Sequence, residues 1–363
     1  MSFSNDFKPF AIAAGANVLS PSTWAADPAL SVGFQVGIAS STKANTAIRQ
    51  ASFVSAMIAQ FTADNGPSNV QDNGNLSALE AQFEAALLQY LSSYYQKILL
   101  TNTTFYVDLT IGSDTLYDGT SDTISGIHGP WATLNHALMV MATLNLNGNT
   151  ATIQLANAGT YPSISGPFSA PGNGTLVING NSSNQAGYII SAAPSGAESV
   201  LHVRSGNVNI NGVTLANNSA SNLSATLSAN GGASVVVTNV NFDGTQTAGN
   251  HIGAYGGAIG IGSGCVFTKS ASAAIYILAG GNVTQSANCS VSGSPAWGTA
   301  CCVALNGGAF SFSAPGGYTF TGTATGPRYF ADFNGVINVS ASGPNYFPGS
   351  VAGSVGANGG RYG

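Results

Sequence analysis

The sequence predicts a mainly β chain: a right-handed parallel β-helix preceded by a small α-helical N-terminal domain. Three observations predict it. A glycine recurs at Gly206, Gly232, Gly257, Gly281, Gly308 and Gly335, and an alternating apolar segment follows each one. Charge almost vanishes from the same region, where residues 151–363 hold only Glu198, Arg204, Asp243, Lys269, Arg328, Asp332 and Arg361. Helical apolar spacing, in contrast, dominates the first 100 residues.

The glycines lie 24 to 27 residues apart. Each is followed by a short alternating run, as in Asn207-Val-Asn-Ile210 or Ala309-Phe-Ser-Phe312. Apolar runs such as Val200 to Val203 and Cys302-Val-Ala-Leu305 precede most of them, and third runs such as Val213-Thr-Leu and Val240-Asn-Phe follow several. Each period therefore holds up to three short strands. One such coil cannot bury its own inner face, but a stack of coils can. Successive coils should rise by about 4.8 Å, the inter-strand spacing. Stacked Asn, Ser and Thr ladders should replace charge as the polar surface.

The first 100 residues carry two helical patterns. Ala47, Ala51, Val54, Ile58 and Phe61 are spaced 4, 3, 4, 3, a single helix face of heptad type. Asn65-Gly66-Pro67 stops that helix. A second begins after Asn75, an N-cap residue, with an apolar stripe through Leu76, Leu79, Phe83, Leu87, Tyr90, Leu91, Tyr94 and Ile98. Two such helices must pack on each other, on the following domain or on sister chains. Residues 101–150 are a lead-in and cap with a strand at Thr104–Asp108, a turn-rich loop and a short helix near His136–Leu144. Residues 151–345 form the β-helix, and 346–363 read as a Gly-rich tail.

Composition excludes several functions. A net charge of -5 with 8 Lys+Arg excludes a nucleic-acid binder. Charged residues at 6% beside hydrophobic residues at 44% exclude a disordered chain. No run reaches the ~18 apolar residues of a membrane span, so no membrane insertion is expected. The start lacks a basic n-region and reads poorly as a signal peptide, which suggests manufacture in the cytoplasm. Four cysteines without CxxC or Cys/His spacing predict neither a disulfide framework nor a metal centre. Cys265 and Cys289 each lie eight residues after a register glycine and should stack as reduced interior side chains. Cys301 and Cys302 are adjacent and should point to opposite faces, one of them inward.

Catalytic residues and cofactors are not expected. Glycan hydrolysis needs paired carboxylates, yet Glu198, Asp243 and Asp332 fall at three different phases of the repeat. His202 and Arg204 beside Glu198 read as a surface pairing. Asp114 and Asp118-Gly119 could ligate Ca²⁺, but they read first as Asx-turn caps closing the first coil. Tyr255, Tyr276, Trp297, Tyr329 and Tyr346 are weak candidates for stacking on sugars, with core packing as the competing role.

Several segments carry a resemblance. Gly15-Ala-Asn-Val-Leu-Ser, Trp24-Ala-Ala-Asp-Pro-Ala-Leu, Gly33-Phe-Gln-Val-Gly-Ile-Ala and Arg49-Gln-Ala-Ser-Phe resemble the N-terminal virion-attachment module of bacteriophage tail fibres. Phe105-Tyr-Val-Asp, Gly112-Ser-Asp, Asp118-Gly, Pro130-Trp-Ala-Thr-Leu and His136-Ala look like the opening of pectate-lyase-like β-helices. Gly326-Pro-Arg-Tyr, Asn345-Tyr-Phe-Pro-Gly-Ser and Gly359-Gly-Arg-Tyr-Gly363 are similar to the ends of tail proteins. The resemblance implies a structural tail fibre or tailspike in the virion. It would form a homotrimer, dock to other phage tail proteins through residues 1–100 and contact a host surface glycan or receptor through its β-helix. The alternatives are a β-helical polysaccharide depolymerase and a tail or baseplate decoration that binds nothing.

Overall fold

The computed structural model describes residues 3–37, 40–94, 97–163, 166–196, 198–221, 224–244, 249–314 and 317–363. The chain divides into two compact units, Met1–Gln96 and Lys97–Gly363.

The first unit is helical. Two short helices, α1 (Pro21–Ala25) and α2 (Ala29–Val32), precede α3 (Ser41–Asn65) and α4 (Leu76–Tyr94). Helix α3 ends where Asn65-Gly66-Pro67 predicts, and Asn75 caps α4 by accepting the Ala78 N–H at 3.1 Å. The face that α3 buries is not its heptad stripe. Thr46, Ala56, Ala59, Thr62 and Ala63 are buried. Ala59 and Ala63 pack on Val70 with Phe3, Phe7 and Leu79 around them. Small side chains let the preceding segment approach closely: Thr46 Oγ1 accepts the Leu19 N–H at 2.8 Å. At 100° per residue the stripe through Ala51, Val54 and Ile58 lies on the other side of the helix. Val54 stays 52% exposed and Ile58 38%. Phe61 at its end meets α4, with its ring 6.0 Å from Phe83 and 5.4 Å from Tyr90. Along α4, Ala86 is buried whereas Leu87, Leu88 and Leu91 are exposed.

The second unit is a parallel β-solenoid with three faces. The first face runs, in chain order, through Thr103–Val107, Thr150–Leu155, Thr175–Asn179, Asn207–Asn217, Ser234–Gly244, Ala258–Ile261, Asn282–Gln285, Ala309–Phe312, Val336–Ile337 and Arg361–Tyr362. The second takes Gly159–Pro162, Tyr188–Ala192, the far halves of the two long strands, Val266–Phe267, Cys289–Val291 and Phe320–Thr321. The third runs from Pro167–Ser169 to Ser354–Val355. Every pairing between these strands is parallel, so each residue sits on its counterpart one coil away: Val208 on Val235, Val235 on Ile259, Ile259 on Val283 and Val283 on Phe310. These columns form one continuous core. Helix α5 (Leu134–Thr143) adds Leu134, Leu138 and Met141 to that core. Phe347 joins it from the last loop, 5.2 Å from Phe310. The expected tail at 346–363 is instead solenoid, because Phe330 pairs with Ser354 and Val336 with Arg361. Its glycines are turn residues of one more coil.

The register explains the glycines. Gly206, Gly257, Gly281, Gly308 and Gly335 precede strand residues that pair with one another, and Gly360 extends the column. A Cβ at Gly281 would collide with the carbonyl oxygen of Ala254, and one at Gly335 with that of Ala304. The chain passes too close to the coil below for any side chain. Gly232 belongs one place earlier. The column position there is Ala233, while Gly232 matches Gly280 and Gly307, all with φ between 75° and 88°.

The cysteines follow the register in part. Cys265 and Cys289 stack, since their neighbours Val266 and Ser290 pair, and both are buried and free. Cys301 and Cys302 are both fully buried, against the expectation of opposite faces. The Ala271–Leu278 strand is irregular against the strand Trp297–Ala304 between Ala271 and Ala273. That irregularity lies before the pair, since Ala273–Ala300 and Ile275–Cys302 keep step, yet both thiols join the core.

His251 is also interior, packed among Phe242, Phe267 and Trp297. Its Nε2 donates to the Lys269 carbonyl at 2.8 Å. Burial pushes its pKa down to about 4, so it is neutral in the native state. An unfolded imidazole titrates near ~6.5. Its contribution to stability is therefore full above that pH and falls as pH drops towards 4, by about 3 kcal/mol in all. Denaturant titrations across this window should show that acid slope, and His251→Gln should flatten it. Gly335→Ala should lower unfolding free energy by roughly 1–3 kcal/mol through overpacking, measured the same way.

Candidate functional site

The segment that opens the solenoid builds one wall of a groove. Asp114 accepts the Ala132 and Thr133 backbone N–H groups at 2.8 and 3.1 Å and the Thr133 hydroxyl at 2.6 Å. Thr133 in turn caps α5 by accepting the His136 N–H. Asp118 accepts from the Thr120 N–H at 3.0 Å and hydroxyl at 2.7 Å, and lies 2.7 Å from His128 Nδ1. Burial works to raise its carboxyl, but these bonds outweigh it and hold the group below the usual range. Asp108 is held low in the same way by Thr110 and Ile111. Asp118 and Asp108 cap their own turns, as the Asx reading expects of Asp118, whereas Asp114 instead ties the loop to residues 132 and 133. No group of three metal-ligating side chains occurs among the described residues. The indole of Trp131 stacks on Phe105 at 5.2 Å, and a Cβ on Gly119 would strike it.

That loop stands beside the corner between the first and second faces. The Tyr106 N–H donates to the Gly119 carbonyl, tying the loop to the first strand. Tyr106 alternates outward between buried Phe105 and Val107. It heads a column of paired residues: Tyr106, Gln154, Asn179 and Asn211. The amides form a ladder. Asn179 Nδ2 donates to Gln154 Oε1 at 2.6 Å, Asn211 Nδ2 to Asn179 Oδ1 at 2.7 Å and Asn239 Nδ2 to Asn211 Oδ1 at 3.1 Å. The groove over this column has a volume of about 340 Å³ and is lined also by Tyr188, Asn181 and Asp122. Asn181 is fixed by the turn it makes, accepting the Ser183 N–H at 2.9 Å. Asp122 is exposed and in no ion pair among the described residues.

The aromatic residues singled out in the sequence fall elsewhere. Trp297 is buried and its Nε1 donates to the Pro348 carbonyl at 3.0 Å. Tyr346 is buried and donates to Gln285 Oε1 at 2.6 Å. Tyr329 is buried and stacks 3.6 Å from Tyr362. These three are core residues and correct the sugar-stacking expectation for their positions. Tyr255 and Tyr276 lie on the third face, half-buried, with ring centres 6.3 Å apart. The remaining carboxylates act singly. Glu198 lies 3.0 Å from His202, Asp243 pairs with Lys269 at 3.9 Å, and Asp332 accepts from Phe333 and Asn358. None of these three lines the groove.

Tyr106 and Tyr188 escaped the sequence reading because the groove depends on which residues share an outward column. The signal available was an amide recurring at one phase: Gln154, Asn179 and Asn211. Comparison of the chain with protein-family models, curated proteins and solved structures finds no match. Replacing Asp114 by Ala removes three bonds that tie the loop to α5. The expected loss is roughly 1–3 kcal/mol of unfolding free energy, read by chemical denaturation with the groove's tyrosine fluorescence as a local probe.

Proposed function

We propose that this chain is a structural component of a bacteriophage tail, of the fibre or tailspike type. Residues 1–100 dock to other tail proteins and assemble the chain into a homotrimer. The solenoid contacts a glycan or receptor on the host surface. The observation that carries the reading is the uncovered stripe on α3. Its own chain buries the alanine and threonine face, while Ala51, Val54 and Ile58 at heptad spacing face away. A helix with that stripe is stable in water when further helices cover it. The solenoid supports the other half of the reading: it is nearly uncharged and carries a polar groove open to solvent.

A depolymerase is less well supported, because its two carboxylates would need to face each other across a cleft, and Asp122 is the single acid of the groove among the described residues. Light scattering on the full chain should give a mass near three chains. The double variant Val54→Glu, Ile58→Glu should give a monomer with an unchanged β-sheet circular dichroism signal. A monomeric wild-type protein at micromolar concentration would overturn the assembly reading.

A further inference from the structure

We propose that the groove at the first corner selects glycans without acidic groups, and that neutral or N-acetylated pyranose residues lie along its amide column, one per coil. The inference rests on the host-contact reading and adds the class of sugar.

Three features of the groove carry it. The first is the spacing of its floor. Gln154, Asn179 and Asn211 stand on successive coils, so the amides repeat at about 4.8 Å. That rise is close to the length of one pyranose along an extended glycan. The second is the unspent hydrogen-bonding capacity. Asn179 and Asn211 each give one amide N–H and one carbonyl lone pair to the ladder. An amide has two N–H groups and two lone pairs, so each keeps one donor and one acceptor for a ligand. Hydroxyl and acetamido groups are both donor and acceptor and match that pair. Gln154 differs: both its N–H groups go to the Leu155 and Gly180 carbonyls. It anchors the ladder rather than offering a donor. Tyr106 at the head of the column and Tyr188 beside it supply flat apolar surface with a polar tip, suited to the carbon face of a sugar ring.

The third feature is charge. Asp122 is the only ionisable acid lining the groove, and among the described residues no Lys, Arg or His lines it. No Lys or Arg occurs anywhere between Lys97 and Arg204, the stretch that supplies every lining residue of the groove but Asn211. A uronate, sialate or phosphate would bring a second negative charge with nothing to pair it. A carboxylate offers up to four acceptor sites and suits a sugar's adjacent hydroxyls or an acetamido N–H. The groove therefore discriminates against acidic glycans by repulsion and by the absence of a cationic partner.

The full-length protein on a printed array of neutral, N-acetylated, uronate-bearing and sialylated oligosaccharides tests this directly. Binding should be confined to neutral and N-acetylated spots. Tyr188→Ala should weaken it at least tenfold. Asp122→Lys, at an exposed position without a hydrogen bond or ion pair among the described residues, should gain binding to uronate-bearing spots. Wild-type binding carried by acidic spots, unchanged in Asp122→Lys, would overturn the proposed sugar class and leave the host-contact reading standing. Neutral binding indifferent to both substitutions would overturn the location. Binding to no spot at all would sink both this inference and the glycan-contact reading beneath it.

Discussion

The larger unit depends on the distance between one coil and the next. Parallel pairing fixes that distance at the spacing of a β-ladder, and every side chain then meets its counterpart one coil away. Apolar residues that repeat in phase make a continuous core, as Val208, Val235, Ile259, Val283 and Phe310 do. The same distance sets what the turns allow. Where the chain leaves the third face it crosses the coil below at backbone contact, and the column through Gly281, Gly308, Gly335 and Gly360 tolerates no side chain except at Ala233.

The shortage of charge follows from the same geometry. Two like charges about 4 Å apart repel by about 1 kcal/mol even in water. A column that repeats a charge at every coil would sum that penalty. An amide in the same place donates to one neighbour and accepts from the other, so repetition stabilises it. Asn179 and Asn211 do this at the first corner, between Gln154 at one end and Asn239 at the other, and a hydroxyl pair, Ser272 with Thr299, joins neighbouring coils on the third face. The one charged group left unpaired in the groove, Asp122, stands on the loop rather than in a column.

The helical unit obeys a different constraint. Its two long helices carry more apolar surface than one chain covers, and the chain spends its small residues on itself. Thr46, Ala56, Ala59 and Ala63 are enclosed by segments that approach closely only because those side chains are short. The large residues Phe53, Val54, Met57 and Leu88 remain at the surface. The solenoid, in contrast, gathers its apolar side chains into one continuous core.

Much of this was legible in the sequence, for a physical reason. A stacked repeat writes its register into the chain, because each coil meets the same neighbours and so needs the same residue types at the same phase. The period, the three strands, the helix stop at Gly66, the helix start at Asn75 and the stacking of Cys265 on Cys289 could be read from residue order alone. Tertiary structure decided what depends on direction. Alternation predicts that Cys301 and Cys302 diverge, yet both thiols are buried in the core. Heptad spacing predicts a packed stripe on α3, yet the chain covers the opposite face, because small side chains admit closer contact than large ones. Between sugar stacking and core packing, residue order left Tyr329, Tyr346 and Trp297 open and the structure puts them in the core, and Tyr106 and Tyr188 meet Asp122 only once the opening loop is pinned to the first strand by the Tyr106 and Gly119 backbones. Residue order determined the repeat, while the side each residue faces was set by bends and loop contacts that no period encodes.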